Sequence, residues 1–162
     1  MAIKTYIDGA EGTTGLQLKQ RLLSHPEIQI ISADVNKRKD LNYKLDQFSN
    51  SDLIFLCLPD NEALLITNKI HENFGNEKVI IDASSAHRVS DGWVYGFPEL
   101  NSSQRKFLKN SNRITNPGCY PTGALSIIRP LVENNFIDNT SKLIINAVSG
   151  YTGGGKKLID FF

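Results

Sequence analysis

The chain has 162 residues, 40% of them hydrophobic and 22% charged, with a formal net charge of +1. That length suits one ordinary core, and the near-neutral, globular composition offers no global field for a nucleic acid or an anionic membrane. No apolar run approaches the ~20 residues of a membrane span, and Cys57 and Cys119 form no disulfide framework and have no ligand-spaced cysteine or histidine, so no metal site is expected. The N-terminus enters a strand-like segment with no basic or secretory stretch before it, and a reducing cytoplasm is the expected compartment.

In chain order, Lys4 to Asp8 is a short β-like run ending at Gly9. Gly9, Gly12 and Gly15 then make a Gly-x-x-Gly-x-x-Gly turn through Thr13 and Thr14, before a helical pattern in Leu16, Leu18, Leu22 and Leu23. Glycines let backbone amides approach a phosphate closely, and doubly wound folds bind a pyrophosphate at the first strand's turn. A plain connector has the same composition; the position after the first strand favours the nucleotide loop.

Ile28 to Ala33 is the expected second strand. Asp34 and then the cations Lys37, Arg38 and Lys39 follow it. The end of this strand meets the adenosine ribose in such folds. Basic residues there suit a 2′-phosphate and thus NADP, with Arg38 able to hold it bidentately. Asp34 keeps the NAD option open, and a solvated basic loop is the plainer alternative. Asp40 to Phe48 is a helix candidate.

Asp52 to Leu58 is a nearly continuous apolar run, the pattern of a parallel strand buried on both faces. Pro59 ends it, and Asp60 or Asn61 is the expected cap of a helix from about Glu62 to Phe74. Cys57 is expected to be structural, at a strand end near the cofactor, and His71 to lie on the solvated helix face. Val79 to Asp82 is the next buried-type strand. It opens into Ala83-Ser84-Ser85-Ala86-His87-Arg88, where hydroxyls and an arginine suit phosphate or carboxylate. His87 has the chemistry of a base, but a solvated side chain is the expected reading, and Arg88 is either substrate-facing or at the surface. Asp91 and Gly92 mark a turn before a short strand at Trp93 to Tyr95, and Ser102 is the expected cap of a helix through Lys109.

Arg113 to Thr115 leads into Asn116-Pro117-Gly118-Cys119-Tyr120-Pro121-Thr122 and an amphipathic run from Ala124 to Val132. Proline is favoured in a helix's first turn, so Cys119 is expected at or just before a helix N-terminus, where free N–H groups and the dipole favour a thiolate. Taken alone, the motif is equally compatible with a small buried thiol. Lys142 to Val148 reads as a further strand. Ser149 to Lys157 is a second glycine-rich turn with Gly153 and Gly154. Phe161 and Phe162 end an element that has barely begun, which suggests a longer protein.

These motifs together resemble the short (type 2) form of the N-acetyl-γ-glutamyl-phosphate reductase family. The resemblance rests on Ile7-Asp8-Gly9 with Gly12 to Gly15, Lys37 to Asp40, Cys57 to Asp60, Asp82-Ala83-Ser84 with Ala86-His87-Arg88, Trp93 to Leu100, Asn116 to Thr122, and Ser149 to Tyr151 with Gly153 to Lys156. It implies a doubly wound, mostly parallel Rossmann-like α/β domain over residues 1–117. The beginning of an α+β catalytic and dimerising domain would occupy 118–162. It implies a thioester at Cys119 and reduction of N-acetylglutamyl phosphate to the semialdehyde with release of phosphate.

In that reading, Gly9, Gly12, Thr13, Thr14 and Gly15 cradle the pyrophosphate of NADP. Lys37 and Arg38 take its 2′-phosphate, and Cys57, Leu58 and Pro59 line the adenosine side. Ser84, Gly153 and Gly154 border the nicotinamide or phosphate. Arg88 meets an anionic substrate group and Asn116 orients the thioester carbonyl. The expected partners are this small-molecule substrate and, in the longer protein, a second copy of the chain. The family carries an acid-base histidine after the cysteine, whereas His25, His71 and His87 all precede Cys119. A cofactor-binding fragment or subunit without turnover therefore stands as an alternative. So does an aspartate-semialdehyde-type dehydrogenase, against which the Trp93 to Leu100 block argues.

Overall fold

The computed structural model describes residues 2–148 and Gly150. Six parallel strands form one sheet in the order β2-β1-β3-β4-β6-β5. They are β1 (Ile3–Asp8), β2 (Ile28–Ile30), β3 (Leu53–Leu56), β4 (Val79–Asp82), β5 (Val94–Tyr95) and β6 (Arg113–Thr115). The helices are α1 (Thr13–Leu22), α2 (Leu41–Ser49), α3 (Asp60–Phe74), α4 (Gln104–Lys109) and α5 (Cys119–Glu133), with one 3-10 turn at Val35–Lys37. The chain therefore has the doubly wound, Rossmann-like α/β architecture, because parallel neighbours need helical crossovers.

The core lies on one face of the sheet. Register puts Tyr6 opposite Ile54 and Ile54 opposite Ile80, a row that is fully buried. Phe48 of α2 and Ile66 and Ile70 of α3 close over it, and the Tyr6 and Phe48 rings meet edge to face at 5.6 Å. On α3, Ala63, Ile66, Thr67 and Ile70 are the buried positions, the i, i+3, i+4, i+7 stripe of an amphipathic helix. β3 alternates full with partial burial, so its opposite face is less completely covered than the continuous apolar run implied.

Several expectations are corrected locally. β2 stops at Ile30, although Ile31 still donates its N–H to Thr5 O at 2.8 Å. Helix α3 starts at Asp60, and Pro59, not Asp60 or Asn61, takes the cap position without a side-chain bond. Asp60 instead accepts from the Ser85 N–H at 2.9 Å. Ser103 is the cap residue of α4, and Asn101 Oδ1, not Ser102, accepts a nearby backbone N–H, that of Ser103, at 2.9 Å. His71 is exposed, as its pattern implied. Residues 142–148 form no strand. A strand requires a hydrogen-bonding neighbour, none pairs with this segment among the described residues, and Ile144 and Val148 are 89% and 99% exposed. The turn containing Gly153 and Gly154 lies outside the described residues.

Candidate functional site

Chain direction reverses its path across the sheet at β1, with β2 on one side and β3 on the other. Open α/β sheets bind ligands in the crevice beyond the strand ends at such a point. The glycine turn is built into this crevice. Gly9 has φ +85°, and a Cβ there would stand 2.3 Å from Cys57 O. At Gly15, buried in α1, a Cβ would stand 2.2 Å from Gly9 O, so this glycine seats the helix against the turn. At Gly12 an added Cβ would meet only Gly9 O, at 3.3 Å.

A cavity of about 480 Å³ opens there, within the usual size of a small-molecule site. Gly9, Gly12, Arg38, Cys57, Leu58 and Pro59 line it, together with Lys39, the third cation of the basic run, and Lys44, which the sequence reading had not singled out. Lys37 is outside the lining, with its ammonium 5.9 Å from the centre of the Tyr43 ring. Asp34 accepts the Asn36 N–H at 2.9 Å and so caps the 3-10 turn. Thr13, Thr14 and Gly15 belong to the first turn of α1 and are not in the wall. The turn whose glycines leave room for close backbone approach, with Arg38 and Lys39 in the same wall, suits the diphosphate of a dinucleotide.

The buried row continues to the C-terminal edge of the strands, where Asp8, Leu56, Asp82 and Thr115 stand in register. Both carboxylates are buried. Lys44 donates to Asp8 Oδ2 at 2.8 Å. Burial raises the Asp8 carboxyl above the usual range, Lys44 opposes that rise, and Glu62 adds to it. Burial also pushes the Cys57 thiol up to about 11, with Asp8 and Asp82 contributing.

Asp82 accepts from Ser84 N–H at 2.9 Å, from Ser84 Oγ at 2.6 Å and from His87 Nδ1 at 2.6 Å. The second nitrogen of His87 lies 3.2 Å from Thr67 Oγ1, and its ring stacks on Trp93 at 4.1 Å. His87 is thus only 6% exposed, against the expectation of a solvated side chain. The missed signal was the five-residue interval from Asp82, which a tight turn after β4 closes. Ser84 directs its hydroxyl inward to Asp82.

At the ends of β4 and β6, Arg88 donates from Nε to Asn116 O at 3.3 Å, and Asn116 donates its N–H to Asp82 O at 2.7 Å. A Cβ on Gly118 would stand 2.8 Å from Arg88 Nη1, so the absent side chain lets the guanidinium lie against this turn. Gly118 caps α5, and Cys119 is the first residue of that helix and exposed. Arg88, Asn116 and Cys119 are thus brought to one edge of the sheet, while the glycine-turn cavity occupies the β1–β3 part of that same edge.

The sequence model described as semialdehyde dehydrogenase, NAD binding domain, matches residues 4–107. The chain belongs to the semialdehyde dehydrogenase family. A second model, the dimerisation domain of semialdehyde dehydrogenases, matches residues 119–161. Among curated proteins, this chain is 45% identical over 156 residues to the N-acetyl-gamma-glutamyl-phosphate reductase of Trichormus variabilis, covering 96% of this chain and 48% of that protein. It is 42% identical to the N-acetyl-gamma-glutamyl-phosphate reductase 2 of Pseudomonas putida, covering 96% of this chain and 49% of that protein. The chain spans about half the length of the curated relatives it matches.

Among solved structures, the aspartate semialdehyde dehydrogenase II of Vibrio cholerae complexed with ASA superposes with a TM-score of 0.66 at 17% identity, over 99% of this chain and 50% of that one. The aspartate semialdehyde dehydrogenase of Candida albicans with NADP superposes with a TM-score of 0.57 at 18% identity, over 83% of this chain and 48% of that one. These likenesses carry the fold. Among the described residues no helix is long and apolar enough to cross a membrane, and no group of three or more His, Cys, Asp or Glu side chains is gathered for a metal ion.

Proposed function

We propose that this chain carries the cofactor site and the nucleophile of a cytoplasmic, NADP-dependent N-acetyl-γ-glutamyl-phosphate reductase of arginine biosynthesis. The observation that carries the reading is Cys119 as the exposed first residue of α5, on the sheet edge that also holds the glycine-turn cavity. The shared name of the relatives supports the substrate.

Cys119 Sγ attacks the acyl carbon of the acyl phosphate; the S–C bond forms, the C–O bond to phosphorus breaks, and phosphate leaves with the electron pair. The free N–H groups of the first turn of α5 favour negative charge at the attacking sulfur. NADPH, when bound, would supply hydride to the acyl carbon; the C–S bond then breaks, Cys119 Sγ leaves with its electron pair as the thiolate, and the semialdehyde is released. Gly9 and Gly12 hold the pyrophosphate, Arg38 the 2′-phosphate, and Cys57, Leu58 and Pro59 the adenosine. Arg88 binds an anionic group of the substrate, and Asn116 orients the acyl carbonyl. The longer enzyme works as a homo-oligomer. The half-length match to the relatives favours one second reading, a chain that binds NADP without turnover on its own.

The reverse reaction tests both. The purified chain is mixed with N-acetylglutamate semialdehyde, phosphate and NADP, with NAD and aspartate semialdehyde as comparisons, and NADPH formation is followed by absorbance. Formation with the acetylated substrate and NADP supports the reductase. Binding of NADP without formation supports the second reading, and preference for aspartate semialdehyde sinks the substrate assignment. Cys119→Ser is expected to lower turnover by about a thousandfold or more and to leave NADP affinity nearly unchanged; a serine variant with the parent rate removes the nucleophile from the mechanism.

A further inference from the structure

We propose that Lys44 is a binding residue of the dinucleotide cavity, cancelling the charge of the buried Asp8 so that the cavity accepts an anionic ligand. The inference rests on the dinucleotide reading above and adds a residue that none of the motifs marks. Asp8 is the last residue of β1, directly before Gly9, and is 3% exposed. Lys44 is 8% exposed and reaches it from α2 at 2.8 Å. Both line the cavity.

The lining carries three cations, Arg38, Lys39 and Lys44, and three anions, Asp8, Glu11 and Glu62. Without Lys44 the wall has an acidic excess, and the uncompensated carboxylate sits in its most buried part. A dinucleotide brings several negative charges into that space, and repulsion between charges at such range in a partly dry site is worth a factor of about ten or more in affinity. Core packing does not by itself call for the pair. Lys44 occupies the turn of α2 before Phe48, a position where an apolar residue of similar volume serves a core at least as well as a buried ion pair. The other titratable groups that face Asp8 are Glu62 of α3, the Cys57 thiol after β3 and the Tyr6 phenol of β1. Burial raises both the phenol and the thiol, so these two stay neutral at working pH.

The test is fluorescence titration of NADPH into the whole chain and its Lys44→Met, Asp8→Asn and Lys44→Met/Asp8→Asn variants, at about pH 6, 7 and 8.5, with a thermal melt of each. Dividing each variant's dissociation constant by that of the parent at the same pH cancels titration of the ligand. Lys44→Met is expected to bind about tenfold or more weakly at the highest pH, with the gap closing toward the lowest as Asp8 takes up a proton. The double variant restores the charge balance and is expected within about threefold of the parent throughout. A Lys44→Met loss that is equal at every pH and persists in the double variant overturns the inference. If Lys44→Met does not fold, Asp8→Asn decides: binding as tight as or tighter than the parent supports the proposal, and weaker binding overturns it. Absence of NADPH binding by the parent overturns the dinucleotide reading itself and this inference with it.

Discussion

Cys57 and Cys119 show how far apart two thiols of one chain can be in chemistry. Cys119 is exposed at the start of α5, whereas Cys57 is half-buried behind the glycine turn with its thiol pushed up to about 11. A neutral thiol is a poor nucleophile, so limiting iodoacetamide at neutral pH is expected to label Cys119 first. Peptide mapping that finds Cys57 labelled first contradicts this. The same shift has a consequence for stability. The folded protein holds Cys57 neutral above its ordinary value of 9.0, so its contribution is intact below that pH and is lost as pH rises through about 11. Both cysteines were legible in the sequence as strand-end and helix-start residues. Lys44 was not, because it sits at i+3 in a pattern of Leu41, Leu45 and Phe48 and reads as a solvated side chain beside an apolar stripe.

Among the elements, the glycine turn is the most tightly constrained. Gly9 combines φ +85° with a carbonyl oxygen 2.3 Å from any added Cβ. Gly9→Ala is expected to cost about 2 kcal/mol or more of stability and to weaken NADP binding, since relief requires moving the wall that Cys57 begins. Urea denaturation and NADPH titration measure the two; an alanine variant matching the parent in both shows that the turn relaxes freely. The strand-glycine-helix order was readable because each part is local: a β run, residues permissive at positive φ, then a 3.6-residue apolar period. The caps of α3 and α4 were misread for the opposite reason. Several polar residues compete at each start, and the cap is decided by which side chain the neighbouring loop already engages, as Ser85 engages Asp60.

For the whole molecule, the C-terminal edge of the sheet is held by long-range polar links. His87 joins the end of β4 to α3 through Asp82 and Thr67, and stacks on Trp93 ahead of β5. His87→Ala removes one donor from a buried carboxylate and opens a cavity, a loss of about 2–4 kcal/mol. Chemical denaturation is expected to show it, and a loss below about 1 kcal/mol would mean that Asp82 is satisfied without the ring. The sequence by itself determined the parallel α/β order, the first glycine turn and the placement of Cys119 at a helix start, since hydrophobic period and turn chemistry act over a few residues. It overstated the segment at 142–148, because strand-forming residues make no strand without a neighbouring ladder. Only the tertiary structure decided the partner of the buried Asp8 carboxylate. The Asp8–Lys44 contact spans 36 residues, and such a pair is chosen by how α2 packs across β1, which no local pattern encodes.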